Sequence, residues 1–216
     1  MQNIPMFTTE NGIASLTLKE IPYTHKAYIT IQDASQPREL LAECVDFCRA
    51  VGAEEFYATG HNFLESFPLH TTIYEMKRPI SDLPETDACL FPVQEKTMEQ
   101  WRNIYNCRMS GVSNAAFMTI ADAQRHIREG NAYFVHRNGT LLGIGIAGGE
   151  RIENVISVVP GSGQAVLSAL LSVLSGEIAG LIVADDNRRA VALYERLGFV
   201  KTREISRWYK IFLDVK

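Results

Sequence analysis

The thirteen residues Asn187-Arg-Arg-Ala-Val-Ala-Leu-Tyr194-Glu-Arg-Leu-Gly198-Phe199 constrain this chain more than any other stretch. Asn187 has the short polar side chain that caps a helix N-terminus. Ala190, Leu193, Tyr194 and Leu197 follow at three-and-four spacing, which predicts one apolar stripe. Gly198 fits the left-handed residue that ends such a helix. A capped helix thus carries an asparagine, a small residue and a tyrosine on neighbouring turns, with Arg188 and Arg189 at its start.

A second informative stretch is Val158-Val159-Pro160-Gly161-Ser162-Gly163-Gln164-Ala165-Val166-Leu167, an apolar strand that passes through two glycines into an apolar helix. The first turn of a helix offers unpaired N–H groups and partial positive charge, and glycines let a phosphate approach the backbone. The amides of Ser162, Gly163, Gln164, Ala165 and Val166 are the expected donors. Gly161-x-Gly163-x-x-Val166, with Asp185 or Asp186 about 20 residues on, also half-matches a dinucleotide fingerprint. Pro160, Val166 in place of a third glycine, and the hairpins upstream speak against that reading, because a doubly wound sheet needs strand and helix to alternate.

With 216 residues, 46% of them apolar, the chain can bury one generous core or two small ones. A formal charge of -4 argues against nucleic acid as the main partner. No basic, then apolar, leader opens the sequence, and the longest apolar run, Ile178 to Ala184, is far short of the about 20 residues that cross a bilayer. Cys44, Cys48, Cys89 and Cys107 show no Cys-x-x-Cys spacing and sit in apolar, periodic segments. They read as buried thiols in a reducing cytoplasm, with no metal site.

Residues 77–87, with Pro79 and Pro84, read as a connector between parts 1–85 and 86–216. The first part reads as β-α-β-β, its helix starting at Ser35 to Arg38 and stopping at Gly52. In the second, a strand at Leu90 to Val93 precedes helices at Thr97 to Met109 and from Thr119 to Glu129. Strands 132–136 and 140–146 follow around Asn138-Gly139, a hairpin turn that needs positive φ twice. Strand 155–159, helix 164–175, strand 181–184, the Asn187 helix and strand 206–212 complete the order β-αα-β-β-β-α-β-α-β.

Asn-x-x-Ala-x-x-Leu-Tyr-Glu-x-x-Gly-Phe resembles the last helix and turn of the GNAT acyltransferase superfamily, and the order of elements from about 88 to 212 is similar to the GNAT order. The resemblance implies an α+β fold, a mixed, mostly antiparallel sheet flanked by helices, and an N-acetyltransferase with acetyl-CoA as co-substrate. It implies that backbone groups of Ile156, Ser157 and Val158 pair with pantetheine, that Gly163-Gln164-Ala165 forms the phosphate loop, and that Asn187, Arg189 and Ala190 line the cofactor. Tyr194 would protonate the leaving thiolate. A phenol with pKa about 10 suits that role. The acceptor is a small-molecule or peptide amine, and Glu153 is a base candidate that strand parity sets on the opposite face from Asn154. The first part imitates half a GNAT domain stripped of its motifs. Two other readings stay open: a CoA-binding or regulatory module without catalysis, since the usual arginine or glutamine ahead of the glycine triplet is absent, and an interaction protein whose first part forms a homodimer.

Overall fold

The computed structural model describes residues 5–81 and 85–212, and it divides the chain into two compact units. The first runs to Ile73 and takes in the stretch from Ile205 onward; the second is Tyr74–Glu204. The first unit therefore has a discontinuous extent, where the sequence placed one boundary at 85/86.

In the first unit, β1 (Met6–Thr9) and β2 (Gly12–Leu16) form an antiparallel hairpin, and β2 pairs antiparallel with β3 (Lys26–Ala34) after the single turn α1 (Ile21–Thr24). Helix α2 (Pro37–Ala50) starts on a proline, whose missing N–H costs nothing in a first turn, and Gly52 ends it at φ +99°. Its stripe of Leu40, Leu41, Cys44, Val45 and Cys48 packs on Ala14, Ile29, Ile31 and Ala58. Strand β4 (Glu55–Thr59) then pairs parallel with β3 over five residue pairs, Lys26–Glu55 to Thr30–Thr59. A 3-10 turn, Asn62–Ser66, leads into β5 (Leu69–Pro79).

In the second unit, β6 (Cys89–Pro92), β7 (Ala132–Arg137), β8 (Thr140–Gly148) and β9 (Arg151–Ser157) pair antiparallel in that order. Strand β10 (Ile178–Ala184) pairs parallel with β9. Helices α3 (Met98–Met109) and α4 (Ile120–Glu129) cover one face through Trp101, Tyr105 and Ala123; α5 (Gly163–Leu171) and α6 (Arg188–Arg196) cover the other through Val166, Leu170 and Tyr194. The strand β11 (Val200–Ile211) starts in this unit and ends in the first, where Tyr209–Ala58, Lys210–Tyr57 and Ile211–Phe56 pair antiparallel with β4. The class is α+β, mixed and mostly antiparallel, with helices flanking the strands. Each unit repeats one succession: a hairpin, a third strand, a helix and a parallel fourth strand.

Local signals form as read. Thr119 and Asp122 make a reciprocal capping box, Gly130 closes α4 at φ +67°, and Asn138 and Gly139 turn at φ +49° and +78°. Other boundaries differ for tertiary reasons. β5 continues to Pro79, so the connector begins later than residue 77, because Arg78 is drawn into the second unit and buried. β11 begins at Val200 instead of Ser206; its first six residues are exposed and carry no alternating pattern to read. β9 spans 151–157 instead of 155–159, and α5 stops at Leu171. The thiols also divide: Cys44 and Cys48 are buried, whereas Cys89 and Cys107 are exposed, correcting the reading of all four as buried. Among the described residues no helix is long and apolar enough to cross a membrane.

Candidate functional site

The candidate site begins where two strands part. β9 and β10 pair only at Arg151–Gly180 and Ile152–Leu181, yet both run on, to Ser157 and Ala184. A bulge prepares the divergence: Ile146 faces Asn154 and Ala147 faces Ile152, so Glu153 is an extra residue in β9. Ile152 consequently packs with the α5 and α6 cluster, whereas Ile156 packs with the α3 and α4 cluster.

Alternation along an antiparallel pair decides which backbone groups face the opening. The Val158 N–H donates to the Leu142 carbonyl at 2.9 Å, so by alternation Ile156 also turns its main chain toward β8. The Val158 carbonyl accepts from Nη2 of Arg108 at 3.0 Å. Of the expected trio, Ser157 alone therefore presents its main chain to the opening. Val155, two residues earlier, does the same.

The turn into α5 is built around Gly161, at φ +82°. The Ser162 hydroxyl lies 2.9 Å from the Leu142 carbonyl and 2.8 Å from that of Val159, which ties the turn to β8. Two expected donors are already engaged, because the Ser162 N–H donates to the Val159 carbonyl and the Val166 N–H to the Ser162 carbonyl. The first-turn amides of Gly163, Gln164 and Ala165 remain without an intrahelical acceptor. A Cβ at Gly163 would stand 3.1 Å from Leu193 Cδ2, so glycine lets α6 approach α5 there.

Helix α6 forms as the sequence dictates. Asn187 Oδ1 accepts from the Ala190 N–H at 3.3 Å, which leaves the side-chain NH2 able to donate elsewhere. At the other end Gly198 sits at φ +83°, its N–H donating to the Glu195 carbonyl while the Phe199 N–H donates to that of Tyr194. This is a Schellman stop. Tyr194 is 8% exposed, with its ring 5.9 Å from that of Phe199, and burial raises its phenol to about 12.

A cavity of about 370 Å³ lies between α5, α6 and β9. It gathers seven of the expected residues: Ser157, Gly163, Gln164, Asn187, Arg189, Ala190 and Tyr194. Ile156 and Val166 are in the core instead, at 5% and 0% exposure, and Val158 points its backbone away. Ser162 and Ala165 line an adjoining groove of about 740 Å³ that shares Gly161 and Gln164 with the cavity. Val155, Gly161, Leu193 and Arg196 also line the cavity, none of them among the expected cofactor residues. Arg196 was legible in principle: it stands seven residues after Arg189, on the same helical stripe. Two arginines and the first turn of α5 make the cavity suited to an anionic ligand. Glu153 is exposed. No group of three His, Cys, Asp or Glu able to hold a metal ion occurs among the described residues.

No family model and no curated protein matches the sequence. Solved structures do match. A GCN5-related N-acetyltransferase from Sphaerobacter thermophilus is 14% identical, with a TM-score of 0.56 over 92% of this chain and 75% of that one. A functionally unknown conserved protein from Staphylococcus epidermidis is 12% identical, with 0.59 over 97% and 94%. A tandem GNAT protein from the clavulanic acid biosynthesis pathway is 14% identical, with 0.51 over 93% and 78%. At these identities the likeness is one of fold. The chain has the GNAT fold, and within the second unit β9–α5–β10 is one parallel pair beside the antiparallel run β6 to β9, not part of a doubly wound dinucleotide sheet.

Proposed function

We propose that the chain is an N-acetyltransferase that moves an acetyl group from acetyl-CoA to a small-molecule or peptide amine. The observation that carries this reading is the parting of β9 and β10 beside a cavity that holds Tyr194 and the first turn of α5 together. Pantetheine amides would pair with the open main chain of Val155 and Ser157 in the manner of an added strand. The Asn187 side-chain amide would bind the same arm. The pyrophosphate would take the amides of Gly163, Gln164 and Ala165, with Arg189 as counter-charge.

The amine nitrogen attacks the thioester carbonyl, the C–S bond breaks, and the sulfur leaves with the electron pair. The amine gives up its proton to water, and the thiolate takes one from water. Within the cavity Tyr194 is the hydrogen-bond donor to the departing sulfur. With its phenol at about 12 and a thiol ordinarily near 8.5, full proton transfer is uphill, so Tyr194 acts by donating a hydrogen bond as negative charge builds on sulfur. Burial raises the thiolate's basicity as well, which narrows the gap.

We read the first unit as a degenerate copy of the same half-domain. Its β3 and β4 stay zipped over five pairs, and its helix α2 opens on Pro37, which has no N–H to offer a phosphate. One acetyl-CoA per chain follows. Calorimetric titration should give that stoichiometry, and excess acetyl-CoA should raise the melting temperature. Thiol release should follow with at least one member of an amine panel of polyamines, amino acids, aminoglycosides and peptide N-termini. Binding without turnover across that panel would favour the CoA-binding module, and absence of both would overturn the reading.

A further inference from the structure

Helix α6 carries its ligand-facing groups at two ends. Asn187, Arg189 and Ala190 stand in its first turn, and Tyr194 and Arg196 in its last. The first end is held locally by the Asn187 cap. The last is held from outside. A Schellman stop satisfies the Glu195 and Tyr194 carbonyls but not that of Leu197, which instead accepts from Nη1 of Arg78 at 2.6 Å, while Nε of Arg78 donates to the Pro79 carbonyl at 2.9 Å. Arg78 is 8% exposed, and its neighbour two residues back, Met76, is fully buried in the cluster that contains Tyr194, Leu197 and Phe199. A buried guanidinium thus sits at the negative end of the helix, three residues past Tyr194, joined to it by one short charge-assisted bond.

From this geometry we infer that Arg78 is a positioning residue for Tyr194: it pins the C-terminal turn of α6 to β5 and so fixes where the phenol stands in the cavity. The inference rests on the acetyltransferase reading for its catalytic consequence and on geometry alone for its structural one. It predicts an asymmetry. Removing Arg78 loosens the Tyr194 end of α6, where Arg196 also stands, and leaves Asn187, Arg189 and Ala190, the groups proposed to hold pantetheine and pyrophosphate, in place. A group that merely supported the fold would show no such division, and neither would one that bound the donor.

The test uses the full chain with Arg78→Met, Arg78→Lys, Tyr194→Phe and the double variant Arg78→Met/Tyr194→Phe. Expected for Arg78→Met is a fall in kcat of about tenfold to a hundredfold, the range for slight misplacement of a catalytic group, with KM for acetyl-CoA changed less than about twofold. Arg78→Lys should recover most of the loss by giving Leu197 a single donor. The double variant should be no slower than Tyr194→Phe, since residues acting as one unit do not add. Independently of turnover, ultraviolet titration of the tyrosines, with Tyr194→Phe as the reference that removes its ionisation, should find Tyr194 ionising at lower pH in Arg78→Met as its burial loosens. Multiplying rate effects, or a KM that rises with the fall in kcat, would overturn the positioning role. If the wild type turns over no amine, the acetyltransferase reading fails by itself, and the titration still decides whether Arg78 holds Tyr194: an unchanged ionisation sinks the inference.

Discussion

The two parallel strand pairs of this chain follow one plan and end in opposite states. β3 and β4 in the first unit remain paired through all five residues of β4, whereas β9 and β10 in the second separate after two pairs. The helices between them differ in the same sense. α2 begins with Gln36-Pro37 and no side-chain cap, and α5 with Gly161-Ser162-Gly163 and three first-turn amides to spare. On the proposed reading, a β-α-β unit becomes a ligand site through two local departures, a bulge that turns one strand aside and glycines that bare a helix terminus. Without them the same topology is a closed wall.

The comparison can be broken most forcefully at Tyr194. In the first unit the parallel strand leads into the 3-10 turn Asn62–Ser66, which holds no tyrosine, whereas Tyr194→Phe should lower thiol release about a hundredfold, the lower end for a lost hydrogen-bond donor to developing charge, with acetyl-CoA binding retained. An unchanged kcat would remove the phenol from the reaction. Next is the helix terminus. Gly163→Asp puts a carboxylate where the open unit would hold phosphate, and calorimetry should find acetyl-CoA bound about tenfold more weakly or worse. The same anion suits the helix dipole, by about 0.3–1 kcal/mol, so melting without ligand should hold steady or rise. A fall in both would mean that crowding of Leu193, 3.1 Å from a Cβ there, dominates.

Alkaline unfolding separates the units more gently. Burial raises Cys44 from 9.0 to about 12 and Cys48 from 9.0 to about 11, both in the first unit, and raises Tyr194 from 10.0 to about 12 in the second. Each group is neutral when folded and ionises first in the unfolded chain. Its contribution is whole below the unfolded value and drains away as pH climbs through the folded one. The first unit should weaken from about pH 9 and the second from about pH 10. The chain's two tryptophans report separately, Trp208 in the first unit and Trp101 in the second, so denaturant midpoints followed in a Trp101→Phe and a Trp208→Phe background check the order. Smallest of all, a thiol reagent should modify Cys89 and Cys107 in the native protein, with no loss of fold, while Cys44 and Cys48 react only on unfolding. Fast native reaction of all four would mean that the α2 core opens readily.

What could be read in advance was what the chain decides locally. The Asn187 cap, the Gly198 stop, the Thr119–Asp122 box and the Asn138-Gly139 turn each join residues a few positions apart, and each forms as read. The hidden features depend on distant partners. The bulge at Glu153 resets the alternation of β9, which is why Val155 and Ser157, and not Ile156 or Val158, turn to the opening. Arg78 gave no signal at all, since a polar residue beside Pro79 reads as connector until the helix end it serves is known. Arg196 hid as a solvated charge on an amphipathic helix, although the cavity claims it.

The discontinuous make-up of the first unit bears on how the chain is made. β4 receives its antiparallel partner from Tyr209, Lys210 and Ile211, which emerge from a ribosome after every residue of the second unit. Until then β4 has one neighbour and a bare edge of N–H and C=O groups, the kind of template on which nascent chains mispair. The first unit cannot complete its strand pairing while it is the only part synthesised, so that edge stays open until Tyr209, Lys210 and Ile211 have emerged.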